Sequence, residues 1–131
     1  MLPHGFDDET PLRAYPNATY VVATSSSRTG PFRVAREKAS VAWSGAGDLT
    51  LFVDSADPNR TAHVAYGAWS NGQRISIERL TDDHTDSAGS SSSSGAASPS
   101  GNEAPIVFLR NGVWYLLCGP TCCFCHEGSG P

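Results

Sequence analysis

Two acidic residues, Asp48 and Glu103, occupy similar places in the sequence. Each stands just before a short apolar run, residues 49–53 and 106–109, and each run is followed by a turn and a second apolar run. A carboxylate that a rigid strand presents at its end can act as a general acid or base toward a bound substrate. The alternative is that both are ordinary solvated charges, which is the common state of loop carboxylates.

The segment that follows Glu103 has the features of a β-hairpin. Asn111 and Gly112 lie between two apolar runs, and both residue types tolerate the positive φ of a type I′ turn. Pro105 has no backbone N–H to donate, which suits the first residues of a strand. We therefore expect Glu103 at the open end of a hairpin.

The other apolar segments are short and separated by turn signals, and no helical period of useful length occurs. Residues 74–80 alternate, with Ile75 and Ile77 on one face, which predicts a strand whose other face is in water. Residues 87–101 are mostly Ser, Gly and Ala, and predict a disordered loop. The chain as a whole predicts an all-β fold.

Composition limits the partners. The chain has 131 residues, with nine basic and 13 acidic side chains. It has no basic stripe, so we expect no nucleic-acid partner. No apolar run approaches the roughly 20 residues that span a bilayer, so we expect no membrane partner. Residues 1–9 lack the basic and then apolar pattern of a signal peptide, which leaves the localisation open.

Four cysteines and a histidine lie close together near the C-terminus, at Cys118, Cys122, Cys123, Cys125 and His126. Structural zinc sites usually use two ligand pairs separated by a longer loop, so we expect no metal at this segment. A disulfide from Cys118 to Cys122 or Cys125, in a secreted protein, and unpaired cysteines that shape a loop both remain open.

Four segments, in order and in register, carry a resemblance that covers residues 20–117. They are residues 23–32 (ATSSSRTGPF), 47–54 (GDLTLFVD), 79–86 (RLTDDHTD) and 103–116 (EAPIVFLRNGVWYL). These segments resemble glycoside hydrolase family 43, the five-bladed β-propellers, and are most similar to its galactan 1,3-β-galactosidase-like members. The resemblance implies a glycosidase that hydrolyses O-glycosyl bonds in plant-type or algal-type polysaccharides or oligosaccharides, with inversion.

The resemblance also assigns roles. Glu103 falls on the general acid, and Asp48 falls on the residue that adjusts the acidity and orientation of that acid. Inverting glycosidases need, in addition, a base that activates water on the opposite face of the sugar. The surroundings of Asp7 and Asp8 do not resemble the motif of that base, so neither is assigned to it. The alternative function is a non-catalytic, carbohydrate-binding or vestigial propeller fragment.

Tryptophan and histidine side chains are further candidates for the site. Trp43, Trp69 and Trp114 could each stack on a sugar ring. Trp114 lies within a predicted strand and is expected in the core, whereas Trp43, just before the glycine-rich approach to Asp48, is the preferred substrate-binding residue. His63 lies in mid-strand and is expected to be structural.

The implied architecture is a partial five-bladed β-propeller of about two to three blades. Its predicted parts are an irregular lead-in at 1–19, blades at 20–86, the Ser/Gly loop at 87–101, and a further hairpin with a Cys-rich loop at 102–131. We expect a monomeric fragment with a carbohydrate substrate and no cofactor, although relatives can hold calcium on the propeller axis. The resemblance makes an extracellular location plausible, and the sequence itself leaves the localisation unknown. An unrelated small β-sandwich held by cysteines is a weaker interpretation.

Overall fold

A computed structural model describes residues 18–89 and 93–121. Within these residues the chain forms eight strands, one 3-10 turn (Trp69–Asn71) and no α-helix. The prediction of an all-β fold is therefore confirmed for the described residues. The strands are β1 (Val22–Thr24), β2 (Arg33–Arg36), β3 (Ala46–Val53), β4 (Ala62–Ala68), β5 (Arg74–Arg79), β6 (Ser93–Ala96), β7 (Asn102–Arg110) and β8 (Val113–Pro120).

The strands form three antiparallel sheets. The largest has four strands in the order β3-β4-β5-β6, so that each strand pairs with its neighbour in sequence. The other two are the pairs β1-β2 and β7-β8. The four-stranded sheet is therefore an antiparallel meander.

Strand β4 is the centre of the four-stranded sheet and is buried along nearly its whole length. On one face Val64, Tyr66 and Ala68 form a core cluster. The opposite face carries Ala65 and Gly67, and an added Cβ at Gly67 would lie 3.6 Å from the carbonyl oxygen of Asn102. These small residues let β7 approach the sheet closely, and β7 contacts both β3 and β4.

The prediction that β5 has one face in water was wrong. Ser76 and Glu78, on the face opposite Ile75 and Ile77, are fully buried. Residues from outside the strand cover this face and satisfy the carboxylate. Glu78 accepts hydrogen bonds from the Tyr66 hydroxyl, from the Ser87 hydroxyl and from the backbone N–H of Ala42, the last at 3.0 Å.

Asp86 binds the same segment, residues 40–42, that Glu78 contacts through Ala42. Asp86 accepts hydrogen bonds from the Ser40 backbone N–H (2.6 Å) and hydroxyl (3.0 Å), and its carboxylate lies 3.1 Å from the Arg36 guanidinium. Burial alone would raise the pKa of Asp86, but these bonds hold that pKa below its usual value. Glu78 and Asp86 thus fix residues 40–42 against the sheet.

The Ser/Gly segment also differs from its prediction. Ser93–Ala96 forms strand β6 on the edge of β5, and the Ser98 hydroxyl oxygen accepts a hydrogen bond from the backbone N–H of Ile75 at 2.9 Å. The expectation of a disordered loop was wrong for this part, because the backbone groups on the edge of β5 need partners and this segment provides them. Residues 90–92 and most of the lead-in at 1–19 lie outside the described residues.

His63 stacks on an aromatic pair that joins the sheet to the β7-β8 hairpin. Its ring lies 5.1 Å from that of Phe52, which in turn lies 5.2 Å from the ring of Trp114. Burial lowers the pKa of His63, with Arg79 acting in the same direction and Asp54 against it. The His63 Nδ1 is buried with no hydrogen-bond partner among the described residues.

This environment predicts a pH dependence of stability. Because the pKa of His63 is lower in the folded than in the unfolded chain, its contribution to stability is complete above the unfolded value of about 6.5 and is lost as the pH falls through the folded value. We expect the urea-unfolding free energy to decrease between pH 7 and pH 5, and His63→Phe to decrease less. If His63→Phe has the same pH dependence as the parent protein, His63 is not the group responsible.

Candidate functional site

Asp48 and Glu103 lie in one cleft of about 180 Å³, here called the acidic cleft. The first is on β3 and the second on β7, so the fold brings together two carboxylates that are far apart in the sequence. The other residues that line the acidic cleft are Gly47, Gly67, Ala68, Trp69, Gln73, Asn102 and Thr121.

Asp48 lies in a β-bulge, and a second bulge begins directly after Glu103. On β3, Ala46 pairs with Ala68 and Leu49 with Tyr66, so Gly47 and Asp48 face a single residue of β4. The pairing of β7 with β8 shifts in the same way directly after Glu103. Bulges bend a strand and change the direction of its side chains, and they are frequent next to active sites.

The bulge at Asp48 is held from the other side by Tyr20. The Tyr20 hydroxyl donates a hydrogen bond to the carbonyl oxygen of Gly47 at 2.8 Å. Burial raises the pKa of Tyr20, and the negative charge of Asp48 raises it further. The Tyr20 hydroxyl therefore stays protonated at any ordinary pH, and it remains a hydrogen-bond donor to Gly47 in the bulge.

The start of β7 is tied to the turn between β4 and β5. The backbone N–H of Asn102 donates to the carbonyl of Gln73 at 2.8 Å, and that of Gly101 donates to the carbonyl of Gly72 at 3.1 Å. Gln73 and Ala104 both have positive φ, at 56° and 52°. Positive φ in residues other than glycine is strained and concentrates at functional sites; Ala104 directly follows Glu103, and Gln73 is bonded to Asn102, which precedes it.

The tryptophan in the acidic cleft is Trp69 and not Trp43. Trp43 is absent from the cleft lining, and its backbone N–H donates to the Tyr66 hydroxyl at 3.3 Å. Trp114, expected in the core, is 41% exposed, although its ring contacts Phe52. No local sequence pattern distinguishes Trp69 from Trp43, because it is the pairing of Ala46 with Ala68 that places Trp69 beside the start of β3.

Gly45 gives a direct test of how Trp69 is held. Gly45 has φ 70°, and an added Cβ would lie 2.9 Å from the Trp69 Cβ. We expect Gly45→Ala to cost about 2–4 kcal/mol, the sum of left-handed strain and overlap. Gly112→Ala is the matched control, because Gly112 has φ 74° with no atom near its added Cβ, and it should cost only the strain of about 1–2 kcal/mol. Equal costs in urea unfolding would show that Trp69 yields freely.

No group of three or more His, Cys, Asp or Glu residues that could hold a metal ion occurs within 18–89 and 93–121. Cys118 is exposed and unpaired there, and its thiol donates to the Asn102 side-chain oxygen at 3.6 Å. Cys122, Cys123, Cys125 and His126 lie outside the described residues, as do Asp7 and Asp8.

The acidic cleft combines an acid pair with amide and aromatic surface. Among the described residues that line it, the carboxylates are Asp48 and Glu103, the amides are Gln73 and Asn102, and Trp69 supplies apolar area. Such a surface suits a polar ligand with an apolar face.

No described helix is long and apolar enough to cross a membrane. No protein-family model, curated protein or solved structure matches this chain.

Proposed function

We propose that the acidic cleft is part of the active site of a glycosidase similar to glycoside hydrolase family 43, which hydrolyses O-glycosyl bonds with inversion. The observation that carries the proposal is that Asp48 and Glu103, which the motifs pair as acid and helper, line one cleft although they lie on different sheets.

In the proposed mechanism Glu103 donates its proton to the glycosidic oxygen as the bond to the anomeric carbon breaks. Asp48 lines the same cleft, and its proposed role is to orient Glu103 for this proton transfer. Water attacks the opposite face of the sugar with the help of a general base. The base is a residue other than these two, and no further carboxylate lines the cleft among the described residues.

The proposed architecture is a β-propeller in which the four-stranded sheet is one blade and the β7-β8 hairpin begins another. In support, β3 and β7 each open their sheet, each has a β-bulge at or directly after an acidic residue, and they contact one another. Several large apolar side chains of β3, β7 and β8 are exposed, which suits contact with neighbouring blades. They include Leu51 (64%), Ile106 (51%) and Leu117 (55%).

The test is sugar release from p-nitrophenyl β-D-galactopyranoside and from β-1,3-galactan. We expect release by the parent protein and loss of at least about 100-fold in the double variant Asp48→Asn/Glu103→Gln. Glu37→Gln is the matched control, because Glu37 is exposed and lies outside the cleft. Equal release by the double variant and the control would overturn the proposal.

A second candidate is a binding-only carbohydrate module. In its favour, Asp48 and Glu103 are the only carboxylates among the described residues that line the acidic cleft, and neither is assigned the role of general base. A cleft without a general base could bind a sugar but could not hydrolyse it by this mechanism. In that case calorimetry would detect binding of β-1,3-galactotriose to the parent protein, and no sugar would be released.

A further inference from the structure

Trp69 is the one large aromatic side chain among the described residues that line the acidic cleft. It opens the 3-10 turn Trp69–Asn71, directly after the buried strand β4. It is only partly buried, and it lines the cleft together with Asp48 and Glu103. A partly exposed indole beside two carboxylates gives an apolar surface within a polar site, and this combination suits a ligand with both characters.

The backbone of this turn is held on both sides. The Trp69 backbone N–H donates to the carbonyl of Gly45 at 3.0 Å, and the Ser70 N–H donates to the carbonyl of Ser44 at 3.3 Å. At the other end, the N–H of Gly72 donates to the Trp69 carbonyl at 3.1 Å. The backbone that carries the indole is therefore held in a fixed position at the wall of the cleft.

The side chain is also confined from behind. A Cβ added to Gly45 would lie 2.9 Å from the Trp69 Cβ and 3.5 Å from its Cδ1, so the indole occupies the space that the glycine leaves free. Gly45 is itself buried. An aromatic face that is in place before the ligand arrives loses little conformational entropy on binding.

We propose that Trp69 is the platform on which a sugar ring stacks in the acidic cleft, with its C–H face against the indole. This inference rests on the proposed function. A pyranose ring has polar hydroxyls at its edge and C–H groups on its faces, so one ring can contact Trp69 while its hydroxyls reach the carboxylates. Trp69 is then a binding residue that determines affinity, and Glu103 remains the residue that reacts.

The experiment measures the dissociation constant of β-1,3-galactotriose by calorimetry in the Glu103→Gln background, which removes turnover. We expect Trp69→Ala to weaken binding by tenfold or more and Trp69→Phe to weaken it less, because the smaller ring keeps part of the stacking surface. Trp43→Ala, which removes a partly exposed tryptophan outside the cleft, should change binding less than twofold. In the active protein Trp69→Phe should raise KM with little change in kcat, as expected for a contact that is the same in the ground and transition states.

The outcomes separate this inference from the proposed function. Suppose that the Glu103→Gln protein binds the trisaccharide and that adding Trp69→Phe or Trp69→Ala leaves its dissociation constant unchanged. The proposed role of Trp69 is then wrong and the proposed function stands. If Trp43→Ala weakens binding and Trp69→Ala does not, the platform is Trp43. If no protein binds the trisaccharide, both proposals are wrong. Urea-unfolding midpoints of all variants confirm that each is folded at the temperature of the titration.

Discussion

Glu103→Gln is expected to slow hydrolysis of galactosides with poor leaving groups by about 100- to 10,000-fold, the usual contribution of a positioned general acid. The same variant should hydrolyse 2,4-dinitrophenyl β-D-galactopyranoside at close to the parent rate. Dinitrophenolate is a stable anion that leaves without receiving a proton, so the proton of Glu103 contributes little to that reaction. The measurement is kcat/KM for methyl, p-nitrophenyl and 2,4-dinitrophenyl galactosides.

The dependence on the leaving group makes this result specific. Glu103→Gln preserves the size of the side chain, and a variant that disturbed the cleft or the fold would slow all three substrates alike. Glu37→Gln makes the same side-chain change at an exposed site and should change none of the three rates. A uniform loss across the three leaving groups would show that Glu103 has a role other than proton donation.

The second large effect is on stability, at Glu78. Glu78→Ala leaves a cavity and removes the acceptor for the Tyr66 hydroxyl, the Ser87 hydroxyl and the Ala42 N–H. We expect a loss of about 3–5 kcal/mol in the free energy of unfolding, since buried hydrogen-bonded groups lose their partner at the same time as the cavity forms. A domain of ordinary stability has only about 5–15 kcal/mol, so this loss is a large fraction of the total.

Urea unfolding measures this prediction. Glu78→Gln keeps the volume and an acceptor oxygen, and should cost less than Glu78→Ala. Glu37→Ala, at an exposed position, should change the free energy of unfolding by less than about 0.5 kcal/mol. A cost below 1 kcal/mol for Glu78→Ala would contradict the buried network.

The Glu78 network also matters for the acidic cleft. Through Ala42 it fixes the segment that leads into Gly45 and then into the bulge at Asp48. Tyr66 donates a hydrogen bond to Glu78, and it lies opposite Leu49 in the pairing of β4 with β3. Leu49 directly follows Asp48. Burial raises the pKa of Tyr66, and its hydrogen bond to Glu78 raises it further, so the hydroxyl remains a donor. The site is therefore supported from within the sheet.

Features determined by neighbouring residues were predictable from the sequence. The Asn111-Gly112 turn is present, and both residues have positive φ, at 52° and 74°. The hairpin that it joins, β7-β8, has the predicted apolar runs, and Glu103 lies near its open end. The all-β class followed from short apolar runs between turn signals, which depend on backbone preferences within a few residues.

Features determined by distant residues were not predictable in the same way. The alternation in β5 indicated a wet face, but Glu78 is buried because residues 40–42 and Ser87 cover it from elsewhere in the chain. Strand β6 has no apolar pattern and forms because the edge of β5 accepts backbone partners. Trp69, and not Trp43, lines the acidic cleft because Ala46 pairs with Ala68, and no local sequence pattern predicts this pairing.

The most direct test of the central claim is the anomer that the protein releases first. Proton NMR can follow hydrolysis of p-nitrophenyl β-D-galactopyranoside from the first minutes, before mutarotation mixes the two forms of galactose. Inversion at the acidic cleft predicts that α-galactose appears first with the parent protein and that release falls at least about 100-fold with Asp48→Asn/Glu103→Gln. Initial release of β-galactose, or no release from a folded and sugar-binding protein, would contradict it.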